Sequence, residues 1–193
     1  EREAVETITE LIEYYKGIFT ILSSCAARQL EEVTFRRNTI PVQELFDAAG
    51  KYFRKVTKNR TEKVELIIEP MDAKVIGDVN QLRFLFENLI DEALAVREEG
   101  VIRLQARKDN EYIRFLFTDT RREKSVTELN QLFYPNLARM TSGEKGELRG
   151  TEYLICKQII RDHDEFAGRR GCRINAEPAE GGGFTVYFTI PRR

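Results

Sequence analysis

The stretch from Asp78 to Ala95 constrains the fold more than any other in the chain. It opens on Asp78-Val79-Asn80-Gln81, a capping-box-like pattern: the Asp78 carboxylate accepts from the first free amides of a helix while Gln81 reaches back to the cap. Leu82, Leu85, Phe86, Leu89, Ile90 and Ala93 then recur at helical spacing and form an apolar face. Phe84, Asn88, Asp91, Glu92 and Ala95 make a neighbouring stripe, with Asn88 and Glu92 one turn apart. A helix with one apolar face must cover another element. Two alternating runs supply it, Val101 to Arg107 and Tyr112 to Thr118, joined by Lys108-Asp109-Asn110-Glu111, which is good β-turn chemistry. Ile102, Leu104 and Ala106 with Ile113, Phe115 and Phe117 give that hairpin one buried face.

Upstream, Thr39-Ile40-Pro41-Val42-Gln43-Glu44 reads as a helix start with Pro41 at the first helical position. Val42, Leu45, Phe46, Ala49, Phe53 and Val56 continue the helical period, and Lys58-Asn59-Arg60 ends it. Val64, Leu66 and Ile68 alternate as in a strand, and Lys74 to Gly77 is a short strand leading into Asp78. Before all of these, Val5, Ile8, Ile12, Tyr15, Phe19, Leu22, Ala26, Gln29 and Val33 alternate spacings of three and four, a heptad seam. A helix of about 33 residues rises roughly 50 Å, too long for one small domain to cover. A second copy of the chain is the expected cover. The alternatives are packing on its own domain or on a segment absent from this sequence. Glu1-Arg2-Glu3 is already helical in character, so the abrupt start reads as a piece cut from a longer protein.

Downstream, residues 121–149 carry little periodicity apart from Val126 to Phe133, and hold Thr141, Ser142, Gly143 and Gly146, the composition of a long loop. Six Lys/Arg against four Asp/Glu give that loop +2 in a chain of net −1. A helix from about Thr151 to His163 follows, and then a hairpin, Cys172 to Glu177 and Phe184 to Ile190, around Gly181-Gly182-Gly183. Helices gathered on one face of a mixed sheet make an α/β (α+β) two-layer sandwich. The balance of 31 Lys/Arg against 32 Asp/Glu lacks the positive field that non-specific nucleic-acid binding needs. Three scattered cysteines and one histidine write neither a disulfide framework nor a zinc site. With no signal peptide and no apolar run near 20 residues, a cytoplasmic setting without membrane contact by this segment is expected.

Gly77-Asp78 followed by Gln81-Leu82-Arg83-Phe84-Leu85-Phe86-Glu87-Asn88-Leu89-Ile90-Asp91-Glu92-Ala93 resembles the asparagine-box helix of the histidine-kinase-like ATPase (GHKL) domains, the Bergerat-type ATP-binding fold. Phe117-Thr118-Asp119-Thr120 resembles the strand end that carries that family's adenine-binding aspartate, and Leu132-Phe133-Tyr134-Pro135 its phenylalanine box. Ile155 to Ile160, His163, and Glu180-Gly181-Gly182-Gly183-Phe184 through Pro191 resemble its last helix and C-terminal hairpin. The resemblance spans roughly Ile40 to Pro191. It divides the chain into residues 1–38, similar to the second helix of a dimerisation and phosphotransfer hairpin, and residues 39–193, the catalytic and ATP-binding domain of a sensor histidine kinase. His163 is placed after the last helix, where the family often has a structural histidine, and the phospho-accepting histidine is then expected upstream of Glu1.

The resemblance implies ATP with Mg²⁺, bound through Asn88, Glu92, Asp119, Thr120, Gly150 and Thr151, with Asn88 as the metal ligand. Hard oxygen ligands suit that ion. The chain departs from the family pattern at three places. Glu92 stands where a second Asn is expected and Ala95 where a basic residue is. Asp119-Thr120-Arg121-Arg122-Glu123 replaces an Asp-x-Gly-x-Gly turn. Leu148, Gly150 and Glu152 occupy the three positions of a phosphate-cradling Gly-x-Gly-x-Gly, so one glycine of three remains. Arg121 and Arg122 read either as forks for phosphates or, preferably, as surface groups or partners of Glu123. Two functions stand: a pseudokinase-like signalling module with weakened or lost nucleotide binding, or an active kinase domain passing the γ-phosphoryl to a histidine outside this sequence. A third, an ATPase or GTPase of related fold, would need Glu87 or Glu92 as a catalytic base. No catalytic residue is assigned within the chain. A homodimer through the first helix, and a response regulator or upstream sensor segment as partner, are the expected associations.

Overall fold

The computed structural model describes residues 35–134 and 151–193. The first-helix heptad and residues 135–150, including Pro135, Leu148 and Gly150, lie outside the described residues. The chain runs β1 (Asn38–Pro41), α1 (Val42–Thr57), β2 (Val64–Ile68), β3 (Lys74–Gly77), α2 (Val79–Leu94), β4 (Gly100–Asp109), β5 (Tyr112–Asp119), α3 (Val126–Asn130), α4 (Thr151–Phe166), β6 (Ile174–Pro178) and β7 (Phe184–Pro191).

Five strands form a mixed sheet in the order β2-β4-β5-β7-β6, with β2 parallel to β4 and every other pair antiparallel. β4 and β5 meet in a tight hairpin, where Asn110 takes φ 52°, the left-handed conformation that Asn tolerates best after Gly. Ile102, Leu104, Ile113, Phe115, Phe117, Val186, Phe188 and Ile190 are buried along the sheet. The helices close over them through an aromatic cluster. Phe46 of α1 and Phe86 of α2 meet Phe115 edge-on at 6.0 and 5.8 Å, and Phe115 stacks on Phe188 at 4.9 Å. Edge-on and stacked contacts of this kind add roughly 0.5–1.5 kcal/mol each beyond area burial. The two-layer α/β sandwich is thus present as expected.

The structure corrects the reading at three local points. Asn38–Pro41 is a strand, paired antiparallel with β3 from Asn38↔Gly77 to Pro41↔Lys74, so Pro41 is the N-cap of α1 rather than its first helical residue. Gln81 does not close the capping box. Asp78 Oδ1 accepts from the Asn80 and Gln81 amides at 3.0 and 3.1 Å, but the Asp78 N–H donates to His163 Nε2 at 3.1 Å, and Gln81 Oε1 is buried with no hydrogen-bond partner. His163 lies inside α4, not after it.

Its burial is complete, and its other ring nitrogen, Nδ1, donates to Ile159 O at 2.8 Å. Accepting at Nε2 and donating at Nδ1 makes it a neutral imidazole of one tautomer. Burial lowers its pKa, outweighing the opposing pull of the Ile159 hydrogen bond and the Asp78 and Asp162 charges. Gly77 makes room for it, since a Cβ there would come 2.8 Å from the ring. The Phe35 ring meets the imidazole edge-on at 4.9 Å, and Arg36 donates its backbone N–H to Asp78 Oδ2 at 2.8 Å. The chain entering β1 is thereby fastened to the start of α2. Among the described residues, no helix is long and apolar enough to cross a membrane.

Candidate functional site

Asp119 ends β5 in a fully buried position, 1% exposed, beside the C-terminal end of α2. The backbone there leaves no slack. Gly183 at the start of β7 has φ +84°, and a Cβ on it would stand 2.1 Å from Asp119 O. Thr120 continues the chain away from the strand, holding Val101 O through both its N–H at 3.1 Å and its hydroxyl at 2.9 Å. That turn brings Arg121 and Arg122 back onto the carboxylate.

Asp119 Oδ1 accepts from the Arg121 backbone N–H at 3.1 Å and from Arg121 Nε at 2.8 Å. Oδ2 accepts from Arg121 Nη2 at 2.9 Å and from Arg122 Nε at 3.2 Å. A carboxylate offers about four lone-pair sites, so these four donors saturate it. The Arg121 side chain is itself 1% exposed. It lies across Gly100, where a Cβ would come within 2.7 Å of its Cγ, and its remaining donors reach Ala93 O at 2.6 Å and Glu98 O at 3.1 Å. Arg60 completes the same helix end through Leu94 O at 2.6 Å and Val96 O at 3.1 Å. Two guanidinium groups at a helix C-terminus oppose the negative end of its dipole and satisfy carbonyls that have no partner within the helix.

The expectation that Arg121 and Arg122 are surface groups or partners of Glu123 is therefore overturned: Gly100 leaves space for Arg121 to fold inward, and the nearest buried anion is Asp119. Arg122 is also drawn over the Phe184 ring, 5.8 Å from its centroid, and its Nη2 reaches Glu92 O at 3.5 Å.

The other candidate residues fall around this ion pair. Asn88 is buried on α2, and its Nδ2 donates to Phe84 O one turn back at 2.7 Å. Glu92 lies one turn further on, close enough to fully buried Tyr153 for its charge to raise the tyrosine pKa further. Burial is the larger cause, and Arg122 opposes the shift. Tyr153 sits in the first turn of α4 and meets Phe133 edge-on at 5.7 Å. Lys157, one turn on, donates to Phe133 O at 3.3 Å and stands 3.9 Å over the Tyr134 ring. Thr151 begins α4. The structure thus brings Asn88, Glu92, Asp119 and the start of α4 into one region, while Gly150 is outside the described residues. Sequence reasoning missed Arg121 as the partner of Asp119, and missed Tyr153 as the aromatic neighbour of Phe133, which it had singled out within the phenylalanine box. The available signal was two consecutive arginines directly after a strand-end aspartate.

The adenine-reading role implied for Asp119 needs a free acceptor, and in this geometry its four lone-pair sites are engaged by Arg121 and Arg122. Asn88 keeps its amide oxygen without a hydrogen bond among the described residues, which suits a hard cation.

Comparison with solved structures finds the same architecture in sensor histidine kinases. The mycobacterial sensor histidine kinase MprB is 18% identical with a TM-score of 0.61, over 82% of this chain and 99% of that one. The Acinetobacter baumannii histidine kinase AdeS is 13% identical with a TM-score of 0.60, over 97% and 79% respectively. Histidine kinase ThkA, solved in complex with the response regulator TrrA, is 18% identical with a TM-score of 0.63, over 97% and 52%. No curated protein sequence matches. The profile of the histidine kinase-, DNA gyrase B- and HSP90-like ATPases matches residues 77–193, more than half of the chain, from the strand end before α2 through β7. The chain belongs to that family, and it is related to the ATP-binding domain of two-component histidine kinases.

Proposed function

We propose that this protein is a two-component signalling module of pseudokinase type, in which the ATP-binding fold is kept and nucleotide binding is weakened or lost. The saturated Asp119 carboxylate carries the reading. To engage an exocyclic amine, Asp119 must release Arg121, and parting a buried ion pair costs roughly 3–5 kcal/mol. At about 1.4 kcal/mol per decade that is a penalty of roughly 10²- to 10³-fold or more in affinity. The missing glycines at Arg121, Glu123, Leu148 and Glu152 act in the same direction, since they put side chains where backbone would approach the ligand.

The domain then transmits shape or binding rather than phosphate. Its partners, on this reading, are a second copy through residues 1–38 and a response regulator, the class of protein with which ThkA was solved. A cytoplasmic location goes with those partners. Thermal unfolding with Mg-ATP and Mg-ADP tests the proposal. A ligand at 100 times its Kd raises stability by about 2.7 kcal/mol, so an intact site would show at millimolar nucleotide. No shift is expected. A rise with nucleotide that calorimetry confirms as one site per chain overturns the proposal in favour of an active kinase domain. Sedimentation showing a monomer at high concentration would remove the homodimer from it.

A further inference from the structure

Exposed cations from four separate segments meet at one end of the domain. Arg193 donates its backbone N–H to Lys74 O at 3.0 Å, and Arg192 donates to Glu111 O at 2.8 Å. Glu111 also takes the Arg169 guanidinium, on its carbonyl at 3.4 Å and on its carboxylate at 3.1 Å. Next to it, the Tyr112 hydroxyl donates to Arg170 O. The Arg37 guanidinium lies over Gly168, 2.7 Å from where a Cβ would stand. Arg37, Lys74, Arg169, Arg170, Arg192 and Arg193 are all exposed and thus share one surface.

Two carboxylates stand among them, Glu111 and Asp164, paired with Arg169 and Arg170. Counting also the exposed Asp72 beside Lys74 and Glu165 beside Phe166, six cations against four anions give the patch +2 in a chain of net −1, so the remaining residues carry −3. The other four cations make no ion pair among the described residues. Beside the patch an aromatic ring faces water: Phe166 is 51% exposed, its centroid 5.8 Å from that of Phe35, which leads directly into Arg36-Arg37. Half of the Phe166 ring is left in water, and removing that apolar area from water is favourable. Against a bilayer it is useful, because the ring enters the headgroup boundary while the arginines hold anionic headgroups.

We propose that this face docks peripherally on an anionic lipid bilayer. The expectation of no membrane contact rested on the lack of a signal peptide and of a long apolar run, neither of which bears on peripheral docking through surface charge. A second basic row, Lys51, Arg54 and Lys55 on α1 with Lys58 at its C-cap, is exposed but holds no exposed aromatic among the described residues, and it supplies the control.

The test is co-sedimentation of the whole chain with vesicles of phosphatidylcholine alone, or with about one-third phosphatidylserine, in low salt and in about 0.5 M salt, where the Debye length falls to roughly 4 Å. Binding is expected to the anionic vesicles only, and to disappear in high salt. Each surface cation is worth about fivefold in partitioning, so Lys74→Glu with Arg192→Glu and Arg193→Glu lowers it by at least about 100-fold. These three contribute backbone contacts that the substitutions leave in place. Phe166→Ser lowers it several-fold at unchanged charge. Lys51→Glu with Lys55→Glu and Lys58→Glu makes the same change in net charge and leaves most of the binding. Absence of binding to anionic vesicles, or an equal loss in the α1 control, overturns the proposal. So does tighter binding to a DNA duplex with no effect of Phe166→Ser. None of these results depends on whether nucleotide binds.

Discussion

Asp119 and Arg121 are each 1% exposed and stand two residues apart in sequence, so neither can be removed without stranding the other's charge. Arg121→Ala is expected to cost about 3–5 kcal/mol in urea unfolding, and Asp119→Ala a similar amount, while the double variant costs clearly less than their sum. Full additivity would show that the pair is not coupled. His163 gives the second residue-scale prediction. Its folded pKa lies below the ordinary value, so its contribution to stability is fully present above about pH 6.5, where both states are neutral. It is lost as pH falls below that, because the unfolded chain takes up a proton that the folded chain refuses. Being the only histidine, it should account for most of a stability drop between pH 7.5 and 5, and His163→Gln should flatten that profile. At this scale the sequence was partly legible. Asp78 was readable as a cap because its partners, Asn80 and Gln81, are local. His163 as the acceptor for its N–H, 85 residues away, was not. The Asp119 ion pair was local and still escaped notice, because what directs Arg121 inward is the bare α-carbon of Gly100 on another strand.

Elements with strong internal periodicity were legible almost to the residue. The apolar face written for α2 is the one buried, and the alternation in β4 and β5 marks the pairing that forms. β1 was not legible. Four residues contain no period, and Pro41 followed by Val42-Gln43-Glu44 carries a genuine helix-start signal. What makes a strand of Asn38–Pro41 is the neighbouring edge of β3, a contact no local pattern encodes. The short helix α3 depends on its cap to a greater degree than the long ones. Ser125 accepts from the Glu128 amide at 3.3 Å and Glu128 Oε2 takes the Ser125 N–H at 2.8 Å, a complete capping box. Ser125→Ala should speed hydrogen exchange at the Glu128 and Leu129 amides roughly fivefold, with α1 and α2 unaffected. Where β5 and β7 separate, Gly183→Ala would drive a methyl into the Asp119 carbonyl at a φ that L-residues avoid. That variant should lose several kcal/mol, read as a lowered unfolding midpoint, and unchanged stability would mean the two strands are not held so closely.

On the scale of the whole molecule, the central sheet is assembled out of chain order. β7 is last in sequence but lies between β5 and β6, pairing Tyr112 with Pro191 at one end and Asp119 with Phe184 at the other. It also brings Phe188 into the aromatic cluster. A chain stopped after Gly183 should therefore show no native near-ultraviolet signal from its aromatic residues, despite retaining every helix. During synthesis on the ribosome the same arrangement has a cost. β4 and β5 can close their hairpin early, but one edge of β5, carrying Ile113, Phe115 and Phe117, stays unpaired until some 70 further residues have been made. For that interval the nascent domain presents a bare strand edge and an open apolar face to its surroundings, so its yield in a cell should depend on holding chaperones more than its finished stability suggests.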